Sequence, residues 1–154
     1  MKFTGELIVN APREEVFDRL KDARFFASCV EGVRDLKEVT PTNYTASFET
    51  KVAYIKFKFE VAVELTRADR PDAIEAKIEG KPHGVVGRLS ATSAATFVEK
   101  DGGTAIQYAV EASLTGRLGS IGQPVLKSKA KEMERLFVQN LRNGLKTDVK
   151  EGAP

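Results

Sequence analysis

The spacing of apolar residues divides the chain into three parts. Residues 2–9 alternate between apolar and polar side chains, as in a strand, and Val16, Phe17 and Leu20 then follow at helical spacing. Over residues 33–108 the alternation has a period of two, and near the C-terminus it returns to helical spacing. This order predicts one strand, a corner of two short helices, an antiparallel meander and a long final helix.

The helical corner has start and stop signals of its own. Pro12 followed by glutamates is typical of a helix start, because a first-turn proline loses no hydrogen bond and carboxylates suit the positive end of the helix dipole. This helix is expected to end near Leu20, and a second short helix is expected over residues 22–28. Gly32 then ends the corner.

The meander has one apolar and one charged face. Apolar and charged residues alternate along its clearest strand, residues 54–65, so the two sets lie on opposite sides of the sheet. Residues 89–98 also form a strand pattern, but small side chains dominate there and leave its inward phase open. Turn signals separate the strands at residues 40–43, 69–72, 81–84 and 101–103.

The final helix is predicted to extend to about Lys146. Residues 120–123 match a capping box with Ser120 as the cap, and Pro124 lies in the first turn. At about 1.5 Å per residue, such a helix is long enough to cross the whole sheet. Its apolar stripe consists of Leu126, Ala130, Met133, Phe137 and Leu141.

Size and charge are those of one ordinary domain. We expect a single domain over residues 1–150 and a short tail at 151–154. The formal net charge is only +2, and lysines alternate with glutamates, so no nucleic acid partner is expected. The chain has no signal-like apolar start and no run of about 18 apolar residues. We therefore expect a cytoplasmic protein with at most peripheral contact at the inner face of the membrane.

Residues suited to redox or metal chemistry are scarce. Cys29 is the only cysteine and His83 the only histidine, so the ligands of an iron–sulfur cluster or a cysteine zinc site are missing. No Gly-rich dinucleotide fingerprint is present. We expect no metal and no cofactor, and we interpret Cys29 as a small, partly buried side chain.

Several short stretches resemble the CoxG family, named for the G subunit of carbon monoxide dehydrogenase, which belongs to the helix-grip, START-like (SRPBCC) superfamily. These stretches are Gly5-Glu6-Leu7, the segments 11–17 and 97–104, and Gly116-Arg117-Leu118-Gly119-Ser120. The resemblance and the element order both imply an α+β helix-grip fold. In that fold a curved antiparallel sheet of about six or seven strands wraps around a long C-terminal helix, with two short helices after the first strand.

The resemblance implies a non-catalytic carrier of a hydrophobic small molecule, a quinone or a lipid. Its implied partner is a molybdenum-containing dehydrogenase. The ligand would occupy the space between sheet and helix, although a solid core with ordinary turn glycines is the alternative that composition leaves open. The expected lining is Phe26, Tyr44, Phe48, Phe57, Phe59, Val61, Ile78, Tyr108, Val110, Leu126, Met133 and Phe137, with Gly119 and Gly122 at the portal.

Two other functions compete with the carrier. A cyclase-like or hydrolase-like enzyme could use a polar group in the same cavity, and His83 is the only histidine available as a base, although its Pro-His-Gly setting is typical of a solvated turn. An interaction module could instead dock a partner or an anionic membrane through the lysines of residues 127–131. Alternating lysines on a helix are more typical of its solvated side.

Overall fold

The described chain has seven strands and three α-helices. The computed structural model describes the backbone of residues 1–152 and the side chains of residues 1–145. Residues 153–154, part of the tail expected at 151–154, lie outside the described residues. The elements are β1 (Lys2–Val9), α1 (Arg13–Lys21), α2 (Ala23–Cys29), β2 (Val33–Thr40), β3 (Asn43–Val52), β4 (Ile55–Asp69), β5 (Ala73–Pro82), β6 (Gly87–Lys100), β7 (Gly103–Gly116), a 3₁₀ helix (Arg117–Ser120) and α3 (Gln123–Gly152).

All seven strands form one antiparallel sheet. Their order is β1-β7-β6-β5-β4-β3-β2, so β1 and β2 form the two edges. The two short helices connect one edge strand to the other, and the long helix follows the last strand. This arrangement confirms the α+β helix-grip fold expected from the sequence.

Local chemistry explains the helical corner. Asp22 separates the two short helices, and its carboxylate accepts a hydrogen bond from the backbone N–H of Arg24 at 2.9 Å. Gly32 has a φ of +90°, and a Cβ there would lie 2.0 Å from the carbonyl oxygen of Glu49. Only glycine fits that position, so the corner can turn closely against β3.

Two packed clusters lie at opposite ends of the sheet. The corner cluster joins α1, α2 and the described C-terminal part of α3 to the sheet, and it consists of Val9, Ala11, Val16, Phe17, Cys29, Phe97, Ile106, Leu141 and Leu145. The turn-end cluster lies where β4 begins and β7 ends, and it consists of Val52, Phe57, Phe59 and Leu118.

Two predicted element starts are wrong. Ser120 does not cap α3, because it belongs to the 3₁₀ helix and its Oγ donates to the carbonyl oxygen of Arg117 at 2.6 Å. The strand predicted from Tyr54 begins one residue later, since Ala53 and Tyr54 form the two-residue turn between β3 and β4. Neither residue has the composition of such a turn, so the sequence contained no signal for it.

Candidate ligand-binding interior

Two rows of side chains cross the concave face of the sheet between the clusters. Residues directly opposite each other in antiparallel strands share a face, so the strand register defines the rows. We call them the central rows. The first consists of Tyr44, Val63, Ile78, Ala91 and Ala112, and the second of Leu65, Ala76, Ser93, Val110 and Phe3.

The central rows become small on the β5–β7 side. Ala76, Ala91, Ser93 and Ala112 occupy these positions, whereas the neighbouring row on the turn side carries Leu89 and Leu114 on β6 and β7. Apart from Ala76, which is buried, the residues of both rows keep partial exposure although they face the helix. Protein interiors are normally packed to the density of organic crystals, so this partial exposure indicates that the space between sheet and helix is not filled.

A recess opens beside the central rows. Its volume is about 750 Å³, and its inner lining consists of Met1, Ala91, Ala112, Leu114, Gly119, Ile121, Gln123 and Leu126. The recess also touches residues on the outer face of the same strands, among them Lys77, Glu79 and Glu111. The volume therefore includes space on both sides of the sheet, and the interior share is smaller.

The apolar stripe of α3 faces this interior. Leu126, Ala130, Met133 and Phe137 are half-buried, whereas Leu141 is fully buried in the corner cluster. The helix thus packs tightly at its described C-terminal part and loosely along its first four turns.

Two hydroxyl groups in and beside the central rows have no hydrogen-bond partner among the described residues. They belong to Ser93 in the second central row and to Tyr108 in the row beside it. The Tyr108 ring lies across β1, where a Cβ on Gly5 would come within 2.5 Å of the hydroxyl oxygen. Both hydroxyl oxygens keep some contact with solvent, so they are accessible to a polar atom of a ligand.

The other inward tyrosine, Tyr44, is already engaged. The Tyr44 hydroxyl donates to the carbonyl oxygen of Pro41 at 2.7 Å. Burial raises the pKa of Tyr44 above its usual value, and the carboxylates of Glu38 and Asp22 add to that shift. Tyr44 is therefore a neutral wall residue whose hydroxyl serves the β2–β3 turn.

The predicted lining residues fall into three groups. Tyr44, Ile78, Tyr108, Val110, Leu126 and Met133 lie around the unfilled interior. Phe57 and Phe59 belong to the turn-end cluster, with Phe48 and Val61 packed against it. Phe26 is 45 % exposed and packs against Phe137, with ring centroids 5.3 Å apart.

The predicted portal glycines lie at the start of α3. Gly119 lines the recess, and Gly122 is exposed beside it. A Cβ on Gly122 would meet only the ring of Pro124 at 3.8 Å, so this short connection is loosely packed.

The predicted list of lining residues did not include the small residues that leave the space open. Ala91, Ser93 and Ala112 contribute no amphipathic contrast, so these residues do not show their own inward phase. A signal was present in the larger residues of that strand, because Leu89 and Phe97 are an even number of positions from Ala91 and Ser93 lies between. Those two anchors face the clusters and set the phase of the small residues between them.

The residues proposed for the two competing functions do not lie where those functions require them. His83 is exposed on the β5–β6 loop, where its Nε2 lies 3.2 Å from a carboxylate oxygen of Glu60 on the outer face. It cannot act as a base inside the sheet. In the lysine run, Lys129 is largely covered and lies 3.8 Å from the carboxylate of Glu132, so the lysines do not form one continuous basic face.

Cys29 is fully buried in the corner cluster, and burial raises the pKa of its thiol. Among the residues that the structure describes, no group of three His, Cys, Asp or Glu side chains could hold a metal ion. No helix in the described part of the chain is long and apolar enough to span a membrane.

Comparison with known families decides the chain's affiliation. The model of the CoxG family, the G subunit of carbon monoxide dehydrogenase, matches residues 5–146. The chain belongs to the CoxG family. The match covers both clusters, the portal and all of the interior apart from Met1 and Phe3. A search of curated proteins returned no match.

Solved structures similar to this CoxG-family chain share its fold. A conserved protein from Geobacillus kaustophilus superposes with a TM-score of 0.87 at 22% identity, covering 96% of each chain. Protein Ms6760 from Mycobacterium smegmatis gives 0.66 at 19% identity, over 96% of this chain and 92% of that one. The di-domain ARO/CYC protein BexL of the BE-7585A biosynthetic pathway gives 0.62 at 18% identity, over 93% of this chain and 49% of that one. At these identities the likeness concerns the fold alone.

Proposed function

We propose that this CoxG-family protein is a non-catalytic carrier that holds one hydrophobic small molecule, a quinone or a lipid, between its sheet and α3. The observation that carries the proposal is the gap between the two packed clusters. There, Ala91, Ser93 and Ala112 and the helix stripe that they face all keep partial exposure, although the sheet and helix pack fully at the corner. An empty space of this kind lowers the stability of a protein, and a ligand that fills it restores the missing contacts.

The lining of the space favours an apolar ligand with one polar end. The central rows supply apolar walls, and the Tyr108 and Ser93 hydroxyls supply hydrogen bonds without introducing a charge. A carbonyl or hydroxyl oxygen on the ligand can accept or donate there. Quinones and neutral lipids both have this combination of groups.

The family description supports a dehydrogenase as partner. We propose that the protein passes its ligand to or from a molybdenum-containing dehydrogenase, in the cytoplasm and with peripheral contact at the inner face of the membrane. In this scheme the partner performs the redox chemistry. This chain contributes binding, protection from water and delivery.

The first experiment is native mass spectrometry of the purified protein, followed by organic extraction of any bound molecule. Ligand-free protein is then titrated with a short-chain ubiquinone and with palmitate. We expect a bound mass matching one class of molecule, or saturable uptake with one molecule per chain. Protein that is ligand-free and takes up neither probe would contradict the carrier.

A matched pair of variants locates the ligand. Ala91→Leu with Ala112→Leu fills the central rows, whereas Ala94→Leu adds the same side chain on the exposed outer face of β6. The double variant is expected to lose uptake by at least about tenfold while remaining folded, and the outer variant to bind like wild type. Equal uptake by all three proteins would place the ligand elsewhere.

A further inference from the structure

Three loops meet at one end of the sheet and form a joined surface, here called the turn end. They are the β3–β4 turn, the β5–β6 loop and the 3₁₀ helix that leads to the portal. The backbone N–H of His83 donates to the carbonyl oxygen of Lys58 at 2.8 Å, and that of Arg117 donates to Val86 at 2.9 Å. The first bond joins the β5–β6 loop to the beginning of β4, which follows the β3–β4 turn, and the second joins that loop to the 3₁₀ helix, so the exposed side chains form one surface.

Apolar side chains protrude from the turn end. Tyr54 is 94 % exposed, Val86 79 % and Ile55 56 %. They stand on two adjoining loops directly beyond the turn-end cluster, which already packs its own apolar residues without them. These exposed side chains therefore add little to the stability of the folded chain.

The backbone holds Tyr54 outward at a cost to stability. Ala53 and Tyr54 have φ values of 48° and 71° in a two-residue hairpin turn. Turns of this kind favour Asn-Gly, because side chains with a Cβ disfavour the left-handed region. A sequence selected only for folding has no reason to place alanine and tyrosine here, and such local conflicts mark functional positions.

The charges of the turn end are equally unsuited to folding. Lys51 and Lys56 lie directly opposite each other across the hairpin, which is a destabilising arrangement. Among the described side chains, Lys56 has a carboxylate nearby, Glu49 at 3.6 Å, and Lys51 has none. The segments 49–60, 81–88 and 114–122 together hold six Lys or Arg and two Glu residues, a local charge of +4 with histidine neutral. The whole chain has a net charge of +2, so the remainder is slightly negative.

We propose that the turn end docks on an anionic lipid bilayer. Single aromatic and aliphatic side chains at loop tips enter the headgroup region, while the surrounding lysines and arginines bind anionic headgroups. A protein partner would bury a flatter and larger patch, since stable protein interfaces need about 800 Å² on each side. The proposal deepens the peripheral contact in the proposed function, because docking here brings Gly119 and the recess beside the membrane.

The test is co-sedimentation of the full chain with vesicles at low salt. The wild type is expected to pellet with phosphatidylcholine–phosphatidylglycerol vesicles, to stay in solution with pure phosphatidylcholine, and to be released by added salt. Lys51→Glu removes two units of positive charge and is expected to weaken partitioning roughly thirtyfold. Lys131→Glu makes the same charge change on the exposed side of α3 and is the matched control.

A second variant separates docking from folding. Ala53→Asn with Tyr54→Gly installs the preferred turn, so the thermal midpoint is expected to rise while vesicle binding falls. Wild-type protein that stays in solution with anionic vesicles at low salt would overturn the proposal and leave the turn end to a protein partner. A Lys131→Glu control as weak as Lys51→Glu would also overturn it. Uptake of palmitate or ubiquinone without vesicles tests the carrier separately and is expected to be unchanged in the turn-end variants.

Discussion

The corner cluster and the central rows are built on the same strands, and they differ in side-chain volume. On β6 and β7, Phe97 faces Ile106 in the corner cluster, and the Phe97 ring meets Phe17 edge-on with centroids 5.6 Å apart. A few residues along the same strands, Ala91 faces Ala112. The same sheet and helix therefore pack completely at one end and leave space in the middle, and only the side chains make the difference.

The largest expected effect is a contrast between two truncations on α3. Leu141→Ala in the corner cluster is expected to lower the free energy of unfolding by about 2–5 kcal/mol, because a fully buried side chain leaves a cavity. Met133→Ala, beside the central rows, is expected to cost less than about half as much, since its surroundings are already loosely packed. Chemical denaturation of both variants measures this, and equal losses would show that the middle is as well packed as the corner.

Adding volume is also expected to destabilise the corner cluster more than the central rows. Ala11→Leu in the corner cluster overpacks a site that is 2% exposed and is expected to destabilise by about 1–3 kcal/mol. Ala91→Leu is expected to be neutral or stabilising in ligand-free protein, because the new side chain enters existing space. Thermal unfolding compares them, and a destabilised Ala91→Leu variant would argue for a solid core.

Gly103 and Gly5 allow the same comparison between a tightly packed site and the open interior. A Cβ on Gly103 would lie 2.4 Å from the backbone carbonyl oxygen of Val9, whereas a Cβ on Gly5 would meet the end of the Tyr108 side chain. Gly103→Ala is therefore expected to cost about 1–3 kcal/mol, and Gly5→Ala less than about 1 kcal/mol as the ring swings into the open interior. Stability curves measure both costs, and changed tyrosine fluorescence reports the ring movement. A large loss for Gly5→Ala would mean that the interior cannot admit the ring.

The smallest effect concerns an ion pair outside both regions. Arg70 binds the Asp18 carboxylate through two hydrogen bonds, of 2.8 and 3.0 Å, and thereby lowers the pKa of that carboxyl group. A lowered folded-state pKa adds stability above the unfolded value of about 3.9, and this is lost as the pH falls below it. Asp18→Asn is expected to reduce the thermal midpoint slightly at neutral pH, with the difference shrinking as the pH approaches 3. A difference in thermal midpoint that does not change with pH would show that the effect does not come from the Asp18 charge.

The sequence predicted the fold well because the fold rests on local patterns. Period-two alternation located the meander and the inward face of β4, and helical spacing located the stripe of α3. Tyr54 was placed wrongly as the start of a strand, and its turn with Ala53 was not predicted, since neither residue carries a turn signature. The interior was harder to predict because Ala91 and Ala112 become neighbours only through the register of β6 and β7, which is a non-local property.

The central claim is that a ligand lies between the central rows and α3. Photolabelling with a diazirine-bearing fatty acid, followed by peptide mass spectrometry, tests this position directly. We expect saturable adducts in the peptides that contain Val110, Leu126 and Met133, suppressed by Ala91→Leu with Ala112→Leu and retained in Ala94→Leu. Adducts confined to the exposed Tyr54 and Val86 loops, or labelling of the interior that the filled variant does not reduce, would contradict the account.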